Sequence, residues 1–449
     1  IFNRKRMKYF GTDGVRGIAN LDLTCELALK IGRAASSYFN GEMIVSKDPR
    51  LSSDMIEMAL VSGILSKGNN AYLTGIIPTP ALSLLLSNNG KKGGAMISAS
   101  HNPIEDNGIK FFDEKGFKLR EEDEEKIEKL MKEEIKLPIG RGGKVIYFNE
   151  AKAIYIKTII EKNKLNLNGL KIALDLAYGA TTTVAPEIFS NLNSSLTLFN
   201  EKPDGEKINV GCGSTNPEFL SRKIKDNGFD LGFSFDGDGD RVIAFDENGE
   251  VFDGDMIMFI LAKYLKIPSI VITVMSNFGL KVLLKKYGIK FYEVPVGDRN
   301  VLYKMIEVNA SLGGEQSGHI IYLPQSNTGD GIITSLLLLK VLVEQNKPLS
   351  ELNKEFIKYP QILRNIKVND KKAIMKDEIF FREVNLWNEK LNGKGRVLVR
   401  PSGTENLIRI MVEGEEEKEI LEIVDYLEDL LKKRLTQNLS LGDEEEGSQ

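Results

Sequence analysis

Apolar runs that lead through a turn of small residues into a helical pattern recur in this chain, and they constrain its fold more than any other feature. The runs are EMIVSKD (42–48), LKIALDLAYGA (170–180) and SIVITVMSNFG (269–279). Each run indicates a strand followed by a helix, which is the βα unit of mixed or parallel sheets. Because the three units begin roughly a hundred residues apart, a common domain length, the sequence predicts three related α/β domains.

The pattern changes after about residue 365. The strand-like segment 396–415 is followed by a long charged helical pattern over 415–435, which indicates a smaller closing domain. The sequence therefore predicts the α/β class, with three related mixed α/β domains and a smaller C-terminal α+β domain. The predicted divisions are extra residues 1–6, domains 7–155, 156–255, 256–366 and 367–440, and an acidic tail 441–449.

Two further helices are predicted from their patterns. Segment 121–136 has an acidic face, which we expect to be solvated, and a single apolar stripe. The stripe consists of Ile127, Leu130, Met131 and Ile135. The segment SLLLLKVLV (335–343) is the most apolar in the chain, and it contains Lys340. It indicates a buried helix.

Composition argues against several classes of protein. The chain has 449 residues and a formal net charge of -4, which argues against general affinity for nucleic acid but permits a local basic pocket. Its two cysteines, Cys25 and Cys212, lie far apart and form no disulfide framework. No apolar run approaches the ~20 residues that a bilayer requires. We therefore expect a cytoplasmic protein with neither nucleic acid nor a membrane as partner.

The segment FSFDGDGDR (233–241) contains a cluster of carboxylates. Asp236, Asp238 and Asp240 are separated by single glycines and followed by Arg241. Glycine leaves the backbone free to wrap the three carboxylates around one point, and several oxygen ligands suit Mg²⁺ or Ca²⁺. We interpret the cluster as a metal site, in preference to a solvated acidic turn.

A calcium loop of the EF-hand type is the main alternative for this cluster. Its D-x-D-x-D opening is present, and Glu247 falls at the twelfth position. The sixth position is Arg241, however, where that loop needs glycine for its turn. The flanking runs FDLGFSF and RVIAFD also have the pattern of strands rather than helices. We therefore favour Mg²⁺, which commonly keeps coordination positions for phosphate oxygens.

A turn of small residues carries the candidate phosphate acceptor. The segment GGAMISASHNPIEDNGIKFF (93–112) places Ser98, Ser100 and His101 after a short apolar run. A serine in such a turn more often caps a helix or closes the turn, and chemistry alone does not choose between the two serines. The chain has two histidines, His101 and His319, and both lie in glycine- and serine-rich segments rather than on apolar faces.

Two other segments have the polar groups of sugar and phosphate sites. GGEQSGH (313–319) contains Glu315 and Ser317, which suit hydrogen bonds to sugar hydroxyls. RPSGTEN (400–406), with Arg409 beyond it, offers backbone N–H groups, hydroxyls and two guanidinium groups to a phosphate. Each segment taken alone is also compatible with an ordinary surface loop.

Together these segments resemble the motifs of the α-D-phosphohexomutase superfamily. The matching motifs are FGTDGVRG, ISASHNP, DNGIKFF, DGDGDR, VGDR, GGEQSGH and RPSGTENLIRIMVEG. They follow the family's order from residue 9 to residue 414, so the resemblance covers nearly the whole chain, although IFNRKR (1–6) lies outside it. The resemblance implies four domains around a central cleft, which contribute in turn a phosphoserine loop, a metal loop, a sugar loop and a phosphate loop.

The resemblance also implies a role for each motif residue. Ser100 matches the phosphoserine nucleophile, and the implied catalytic neighbours are His101, Arg16, Lys110 and Arg241. One Mg²⁺ per active site is implied, and its ligands are Ser100, Asp236, Asp238 and Asp240. The implied substrate contacts are Asp298, Arg299, Glu315, Ser317 and His319, with Arg400, Ser402, Gly403, Thr404 and Arg409 at a distal phosphate.

The reaction implied is the interconversion of glucosamine 6-phosphate and glucosamine 1-phosphate, with glucosamine 1,6-bisphosphate as intermediate and activator. The product would feed UDP-N-acetylglucosamine and cell-wall precursor synthesis. The implied partner is a phosphorylated amino sugar, and a homodimer remains open. One alternative is a phosphomannomutase or phosphoglucomutase of the same superfamily. Another is a non-catalytic sugar-phosphate or Ca²⁺-binding protein, which loss of Ser100 or of an aspartate would favour, and neither is lost.

Overall fold

The structure is a computed structural model that describes residues 9–11, 13–167, 169–402 and 406–445, without the side chains of 436–445. The chain divides into two compact units. The larger unit comprises residues 1–276 and 284–355, and the smaller unit comprises residues 277–283 and 356–449. Residues 1–6, which the sequence analysis sets apart, lie outside the described residues.

The strands follow one another along both units. In chain order they are β1 Phe10–Gly11, β2 Gly14–Ile18, β3 Met43–Lys47, β4 Ala71–Ile76, β5 Gly93–Ile97, β6 Asp106–Asp113, β7 Val145–Tyr147, β8 Lys171–Asp175, β9 Ser195–Phe199, β10 Leu231–Phe235, β11 Val242–Phe245, β12 Val251–Phe252, β13 Ser269–Thr273, β14 Lys290–Val294, β15 Leu312–Gly314, β16 Ile320–Tyr322, β17 Gln361–Lys367, β18 Gly395–Pro401 and β19 Leu407–Gly414.

Helices alternate with most of these strands. In chain order they are α1 Cys25–Phe39, α2 Ser53–Ser66, α3 Thr79–Asn89, α4 Glu121–Leu130, α5 Ala151–Lys162, α6 Ala185–Ser190, α7 Glu218–Asn227, α8 Gly254–Tyr264, α9 Phe278–Lys286, α10 Asp298–Val308, α11 Gly331–Gln345, α12 Leu349–Leu352, α13 Lys371–Ile374, α14 Glu378–Leu391 and α15 Glu417–Glu445. A 3₁₀ turn, Ala180–Thr183, precedes α6. Among the described residues, we find no helix with the length and apolar character that crossing a membrane demands.

The larger unit contains three mixed sheets. Their strand orders are β1-β2-β6-β5-β3-β4-β7, β12-β11-β10-β8-β9 and β14-β13-β15-β16. In each sheet a parallel set of strands is extended by antiparallel neighbours, as where β10 pairs in parallel with β8 and antiparallel with β11. The strands β3, β8 and β13 are those of the three predicted βα units. The prediction of three mixed α/β sheets is therefore confirmed.

The smaller unit has a different architecture. Its sheet, β17-β19-β18, is antiparallel throughout. Apolar residues of α14 and α15, including Phe380 and Ile420, share one core with strand residues such as Ile410. The predicted C-terminal α+β domain is thus confirmed. Residues 441–445 of the predicted acidic tail lie in α15.

The prediction for segment 121–136 is partly wrong. Helix α4 ends at Leu130, and the chain continues as turns and irregular structure. The acidic face is not simply solvated, because Glu124 and Glu128 are both buried. Glu128 accepts a hydrogen bond from the backbone N–H of Tyr9, while Glu124 pairs with a distant arginine described below. Charge runs on helices are usually solvated, but here two carboxylates have partners from other elements.

A buried polar contact joins two helices that are distant in sequence. Asp330 caps α11 by accepting the N–H of Ile333 at 2.9 Å, and it also accepts the hydroxyl of Tyr155 from α5 at 2.9 Å. Burial raises the pKa of Asp330 to about 6, although these hydrogen bonds lower it in part. The folded state therefore holds the proton of this carboxyl more tightly than the unfolded chain does.

Asp330→Asn should change how stability depends on pH. Asparagine keeps an N-cap acceptor and a partner for Tyr155 but carries no charge. Because the folded pKa of Asp330 is raised, its stabilising contribution is complete below the ordinary aspartate pKa of ~3.9 and is lost as the pH rises through about 6. Between pH 5 and pH 8 the native protein should lose about 1 kcal/mol of stability that the variant keeps. The free energy of unfolding across this range measures the difference.

Asp377→Asn is the matched control, since Asp377 caps α14 through the N–H of Phe380. Burial alone would raise its pKa, but this hydrogen bond and Arg434 lower it overall. Its stabilisation is therefore present above the ordinary aspartate pKa and is lost as the pH falls. Between pH 5 and pH 8 Asp377→Asn should therefore keep the pH dependence of the unmodified protein, whereas Asp330→Asn should lose part of it. Parallel curves for the two variants would contradict the assignment for Asp330.

Candidate active site

The carboxylate cluster lies in the tight connection between β10 and β11. Asp236 and Asp238 are fully buried, and Asp240 is nearly so. One carboxylate oxygen from each lies within 4.8 Å of the others. The intervening glycines are required by the backbone, because Gly239 has φ +74° and a Cβ on Gly237 would lie 2.7 Å from the carbonyl oxygen of Ser100. The predicted convergence of three carboxylates is present in the structure.

The cluster has an excess of negative charge. Burial, together with Asp240 and Asp238, raises the pKa of Asp236 well above its ordinary value. Burial would also raise the pKa of Asp238, but the ammonium group of Lys110 at 2.9 Å and the hydroxyl of Thr79 at 2.6 Å lower it overall. These neighbours stabilise one carboxylate of the three and leave the other two crowded.

The Ser100 hydroxyl points at this cluster. Ser100 is almost fully buried, and its Oγ donates a hydrogen bond to Asp236 Oδ2 at 2.5 Å. The ring of His101 lies beside it, with Nδ1 3.4 Å from Oγ. Burial, followed by Arg241 and Arg16, lowers the pKa of His101 to about 3, so this imidazole is neutral at physiological pH. The two predicted loops, more than a hundred residues apart in sequence, therefore meet at one point.

Cationic side chains surround the same point. Lys110 projects from β6, is buried, and lies 3.7 Å from Asp240 as well as beside Asp238. Arg16 in β2 donates to the carbonyl of Ala99 and to Asn102 in the loop that carries the serine. Burial lowers the pKa of Lys110, but the carboxylates of Asp238 and then Asp240 raise it overall. Lys110 is therefore charged at neutral pH.

The loop with the sequence GGEQSGH is attached directly to the carboxylate loop. Arg241 and His319 form an isolated antiparallel β-bridge, and His319 Nε2 lies 3.9 Å from Asp240. Among the described residues, neither ring nitrogen of this buried histidine has a hydrogen-bond partner. Glu315 accepts the backbone N–H of Gly297, whereas Ser317 is exposed. The sugar loop predicted from sequence is thus brought to the metal loop.

Residues of the VGDR motif have protein partners in this structure. Arg299 donates to Glu124 of α4 at 2.5 Å, and Asp298 accepts from Lys118 at 2.6 Å. Burial raises the pKa of Glu124 to about 7 even though Arg299 opposes the shift. Both ion pairs link the start of α10 to the first sheet's domain. Sequence reasoning predicted substrate contacts for both motif residues and gave no sign of these partners.

Several residues of the site were missed from sequence. Thr79 and Lys118 belong to segments without any recognised motif, and Asn209, whose amide donates to the Ser100 carbonyl at 2.9 Å, lies in an unremarkable loop. Asp13 stood within the opening motif and pairs with both Arg16 and Lys118. The position of Asp13 three residues before Arg16 is the one sequence feature that could have indicated any of these four residues.

The predicted phosphate residues of the smaller unit form their own group. Arg400 of β18 and Arg409 of β19 are directly opposite each other in the strand register. Burial and the neighbouring Arg409 lower the pKa of Arg400. Ser402 is buried, and its carbonyl accepts from Lys371 at 2.8 Å. The predicted contacts Gly403 and Thr404 lie outside the described residues.

The carboxylate cluster meets the requirements of a hard cation. Oδ1 of Asp238 and Oδ1 of Asp240 are buried and have no hydrogen-bond partner in the part of the chain that the structure describes. Unpaired buried carboxylate oxygens are costly, and the raised pKa of Asp236 reports the same deficit of positive charge. The oxygen-only donor set suits Mg²⁺. The residues present therefore fit the cation that the family implies.

Comparison with known families covers nearly the whole chain. Four models match, all described as phosphoglucomutase/phosphomannomutase: the alpha/beta/alpha domains I, II and III and the C-terminal domain. The residues that they match are 7–137, 152–249, 253–359 and 363–430, in that order.

Individual relatives agree with these models. A phosphoglucosamine mutase from Natranaerobius thermophilus is 50% identical over 438 residues, covering 95% of this chain and 99% of the relative. A solved phosphoglucomutase/phosphomannomutase family protein from Burkholderia thailandensis has a TM-score of 0.80 and 22% identity, covering 94% of this chain and 97% of that chain. A solved N-acetylphosphoglucosamine mutase from Aspergillus fumigatus, in complex with GlcNAc-6P and magnesium, has a TM-score of 0.67 and 16% identity, covering 97% of each chain. This chain therefore belongs to the phosphoglucosamine mutase family, within the α-D-phosphohexomutase superfamily.

Proposed function

We propose that this chain is an isomerase that interconverts glucosamine 6-phosphate and glucosamine 1-phosphate by way of a phosphoserine at Ser100. The observation that carries the proposal is the meeting of the Ser100 hydroxyl with Asp236 at 2.5 Å, beside buried Lys110. A nucleophile, a set of oxygen ligands and a fixed cation at one point are the parts that phosphoryl transfer requires. The choice of glucosamine as the sugar is supported by relatives such as the phosphoglucosamine mutase from Natranaerobius thermophilus.

The metal site is proposed to consist of one carboxylate from each of Asp236, Asp238 and Asp240, with a phosphate oxygen on Ser100. Mg²⁺ bound there would act as a Lewis acid toward the transferring phosphoryl group. The protein's own contribution is to hold the carboxylates together at a cost in repulsion and to supply compensating charge from Lys110. Since the burial of Ser100 limits access of water, it also protects the phosphoserine from hydrolysis.

The cations are proposed to stabilise charge rather than to move protons. The pKa of Lys110 is raised by Asp238 and Asp240 despite its burial, so its ammonium group stays charged while the phosphoryl group passes. Arg241 behaves in the same way, because Asp240 and Asp236 raise its pKa although burial acts in the opposite direction. Fixed positive charge is worth most in a site from which water is excluded.

The distal phosphate is proposed to bind at Arg400 and Arg409. Like charges directly opposite on neighbouring strands repel each other, and an anion between the two guanidinium groups would relieve this repulsion. Such a charge-based site suits a reaction in which either end of glucosamine 1,6-bisphosphate must be held in turn. Glu315 and His319, which are next to the metal loop, are proposed to contact the sugar.

The function is tested by following both the enzyme and its sugar. The purified chain is incubated with Mg²⁺, glucosamine 6-phosphate and a trace of glucosamine 1,6-bisphosphate. Product formation is compared among glucosamine, glucose and mannose phosphates, and the phosphorylated peptide is mapped. We expect preference for glucosamine and phosphate on Ser100, with Ser100→Ala inactive but folded. Preference for mannose or glucose phosphates would favour the alternative branch, and phosphate on Ser98 would overturn the assignment.

Asp238→Asn should raise the Mg²⁺ concentration needed for activity and strongly lower turnover. The change removes one charged ligand while keeping the size of the side chain and its neighbours Thr79 and Lys110. Mg²⁺ binding is measured by calorimetry, and turnover is measured across a range of Mg²⁺ concentrations.

Asp246→Asn is the matched control for the metal site. Asp246 is also a buried aspartate next to β11, but it accepts backbone N–H groups of Asn248 and Glu250 at a turn. Its substitution should leave the Mg²⁺ dependence unchanged. Normal activity of Asp238→Asn at low Mg²⁺ would refute the metal assignment.

Arg409→Ala should weaken all phosphorylated ligands together without changing the preferred sugar. A hydrogen bond to a charged group contributes ~1.5–3 kcal/mol, which corresponds to about one to two factors of ten in affinity. The weakened site should also release glucosamine 1,6-bisphosphate before it reorients, so that added bisphosphate partly restores the rate. Steady-state kinetics and the amount of bisphosphate released are the two measurements.

Arg364→Ala is the control in the same sheet. Arg364 lies in β17 and pairs with Asp425 and Glu428 of α15. Its loss should leave both measurements unchanged. If Arg409→Ala behaved like this control, the distal site would have to be placed elsewhere.

A further inference from the structure

We propose that Ser98, Asp48 and Arg50 are positioning residues that hold the backbone of Ser100 in the conformation needed for phosphoryl transfer. None of them belongs to the site residues predicted from sequence, although Ser98 was the competing phosphate acceptor. The inference deepens the proposed function and rests on it, because it concerns the orientation of the serine that carries the phosphoryl group. It is drawn from a set of buried hydrogen bonds behind that serine.

Ser100 has a backbone conformation that needs support. Its φ is +54°, in the left-handed region that residues other than glycine, asparagine and aspartate seldom adopt. This conformation turns the side chain toward Asp236 and presents the backbone N–H and carbonyl to the interior. A residue in such a conformation persists when its surroundings hold it there, and functional sites are where such residues concentrate.

Ser98 satisfies the N–H of Ser100. The side chain of Ser98 is fully buried, and its Oγ accepts the Ser100 N–H at 2.8 Å. The same hydroxyl donates to Asp48 Oδ2 at 2.7 Å, so its one proton is already used. Ser98 is thus occupied as a bridge between Asp48 and the backbone of Ser100, which separates its role from that of the nucleophile two residues later.

Arg50 satisfies the other side of the turn. Its guanidinium group is buried and donates to the carbonyls of Ser100 and Asn102, both at 2.8 Å, and to that of Asp106 at 2.9 Å, with Pro103 as a further acceptor. Five N–H donors in a rigid plane allow one side chain to bind several carbonyls of a single loop.

Asp48 connects the two supports. Its Oδ2 accepts the Nε of Arg50 at 3.1 Å as well as the hydroxyl of Ser98. In this buried ion pair the negative charge of Asp48 compensates the positive charge of Arg50 and orients the plane of its guanidinium group. Ser98 therefore binds the peptide N–H before the Cα of Ser100, and Arg50 binds the carbonyl after it. Both side chains are in turn bound to Asp48.

A second domain also contacts the backbone of Ser100. The amide of Asn209 donates to the same Ser100 carbonyl at 2.9 Å. Gly237, in the metal loop, approaches this carbonyl so closely that a Cβ could not be placed there without movement. The backbone of Ser100 is therefore held between the first domain's ion pair and the second domain's loops.

The chemical consequence is control over the direction of the transferring bond. In transfer, the bond from phosphorus to Ser100 Oγ breaks, a bond to the sugar hydroxyl oxygen forms, and the hydroxyl proton ends on Ser100 Oγ. The three reacting centres must lie nearly in line. An error of about 1 Å in such an alignment can cost about 100-fold in rate, so a loosened Ser100 backbone should slow transfer more than it weakens sugar binding.

Ser98→Ala and Ser53→Ala form a matched pair for the test. Both serines are buried, and both donate a hydrogen bond to Asp48. Ser98 also accepts the backbone N–H of Ser100. Ser53 has no such bond to Ser100 and accepts the side-chain amide of Asn107. Loss of either hydroxyl should lower stability to a similar degree, so thermal unfolding serves to match the variants. Any difference in transfer then reports on the Ser100 backbone.

The full-length chain is first phosphorylated with glucosamine 1,6-bisphosphate, and transfer to glucosamine 6-phosphate is followed in a single turnover. Steady-state kcat and KM are measured in parallel. Ser98→Ala should transfer about 10- to 100-fold more slowly, with KM little changed, while Ser53→Ala should behave as the unmodified protein. Asn209→Gly, which tolerates the positive φ of +61° at that position, should also slow transfer with unchanged KM.

The outcomes separate this inference from the proposed function. If the unmodified protein takes no phosphate on Ser100, the proposed function fails. If it does, and Ser98→Ala transfers as fast as Ser53→Ala, the positioning role alone is refuted. Unchanged transfer in Asn209→Gly would refute only the contact from the second domain. Equal slowing in Ser98→Ala and Ser53→Ala would also refute the role of Ser98. The slowing would then result from the lost hydrogen bond to Asp48, which both variants share, and not from the lost bond to the Ser100 N–H. Should Ser98→Ala fail to fold, Arg50→Lys takes its place in the same comparison, because it keeps the charge beside Asp48 but loses the planar guanidinium group that binds the Ser100 and Asn102 carbonyls.

Discussion

The repulsion among three buried carboxylates at the end of β10 is the constraint around which the larger unit is organised. Asp238 and Asp240 each have a buried oxygen without a hydrogen-bond partner among the described residues, and burial together with these two neighbours raises the pKa of Asp236. Lys110, itself buried, comes from another sheet to offset part of the charge. A cluster of this kind would be destabilising in a purely structural role, and its oxygen-only donor set suits a hard cation.

Support for Ser100, the proposed nucleophile, comes from a separate set of interactions. The carboxylates hold the charge in front of Ser100, whereas Asp48, Arg50 and Ser98 hold its backbone from behind. Both sets are buried, which strengthens their hydrogen bonds and also makes a missing partner costly. Ser100 is therefore held by contacts from two domains at once.

The VGDR motif (296–299) is joined to the first domain by charge as well. Arg299 reaches Glu124 and Asp298 reaches Lys118, so that the motif expected to face the substrate is anchored through both of its charged side chains. Because the pKa of Glu124 is raised to about 7, part of this anchoring depends on a carboxyl that titrates near neutral pH. Lys118 also contacts Asp13, which pairs with Arg16, and this links the anchor to the serine loop.

The sequence by itself determined the class of fold and the candidate residues of the site. Strands β3, β8 and β13 could be predicted because apolar runs and small-residue turns are local signals, and the carboxylate cluster and Ser100 could be named because their motifs are contiguous. Tertiary structure decided what no local pattern encodes: that α4 stops at Leu130, that Glu124 is buried against Arg299, and that Arg50 grips the Ser100 loop. Contacts between residues far apart in the chain depend on how sheets pack, and a buried polar partner has the same sequence appearance as a solvated one.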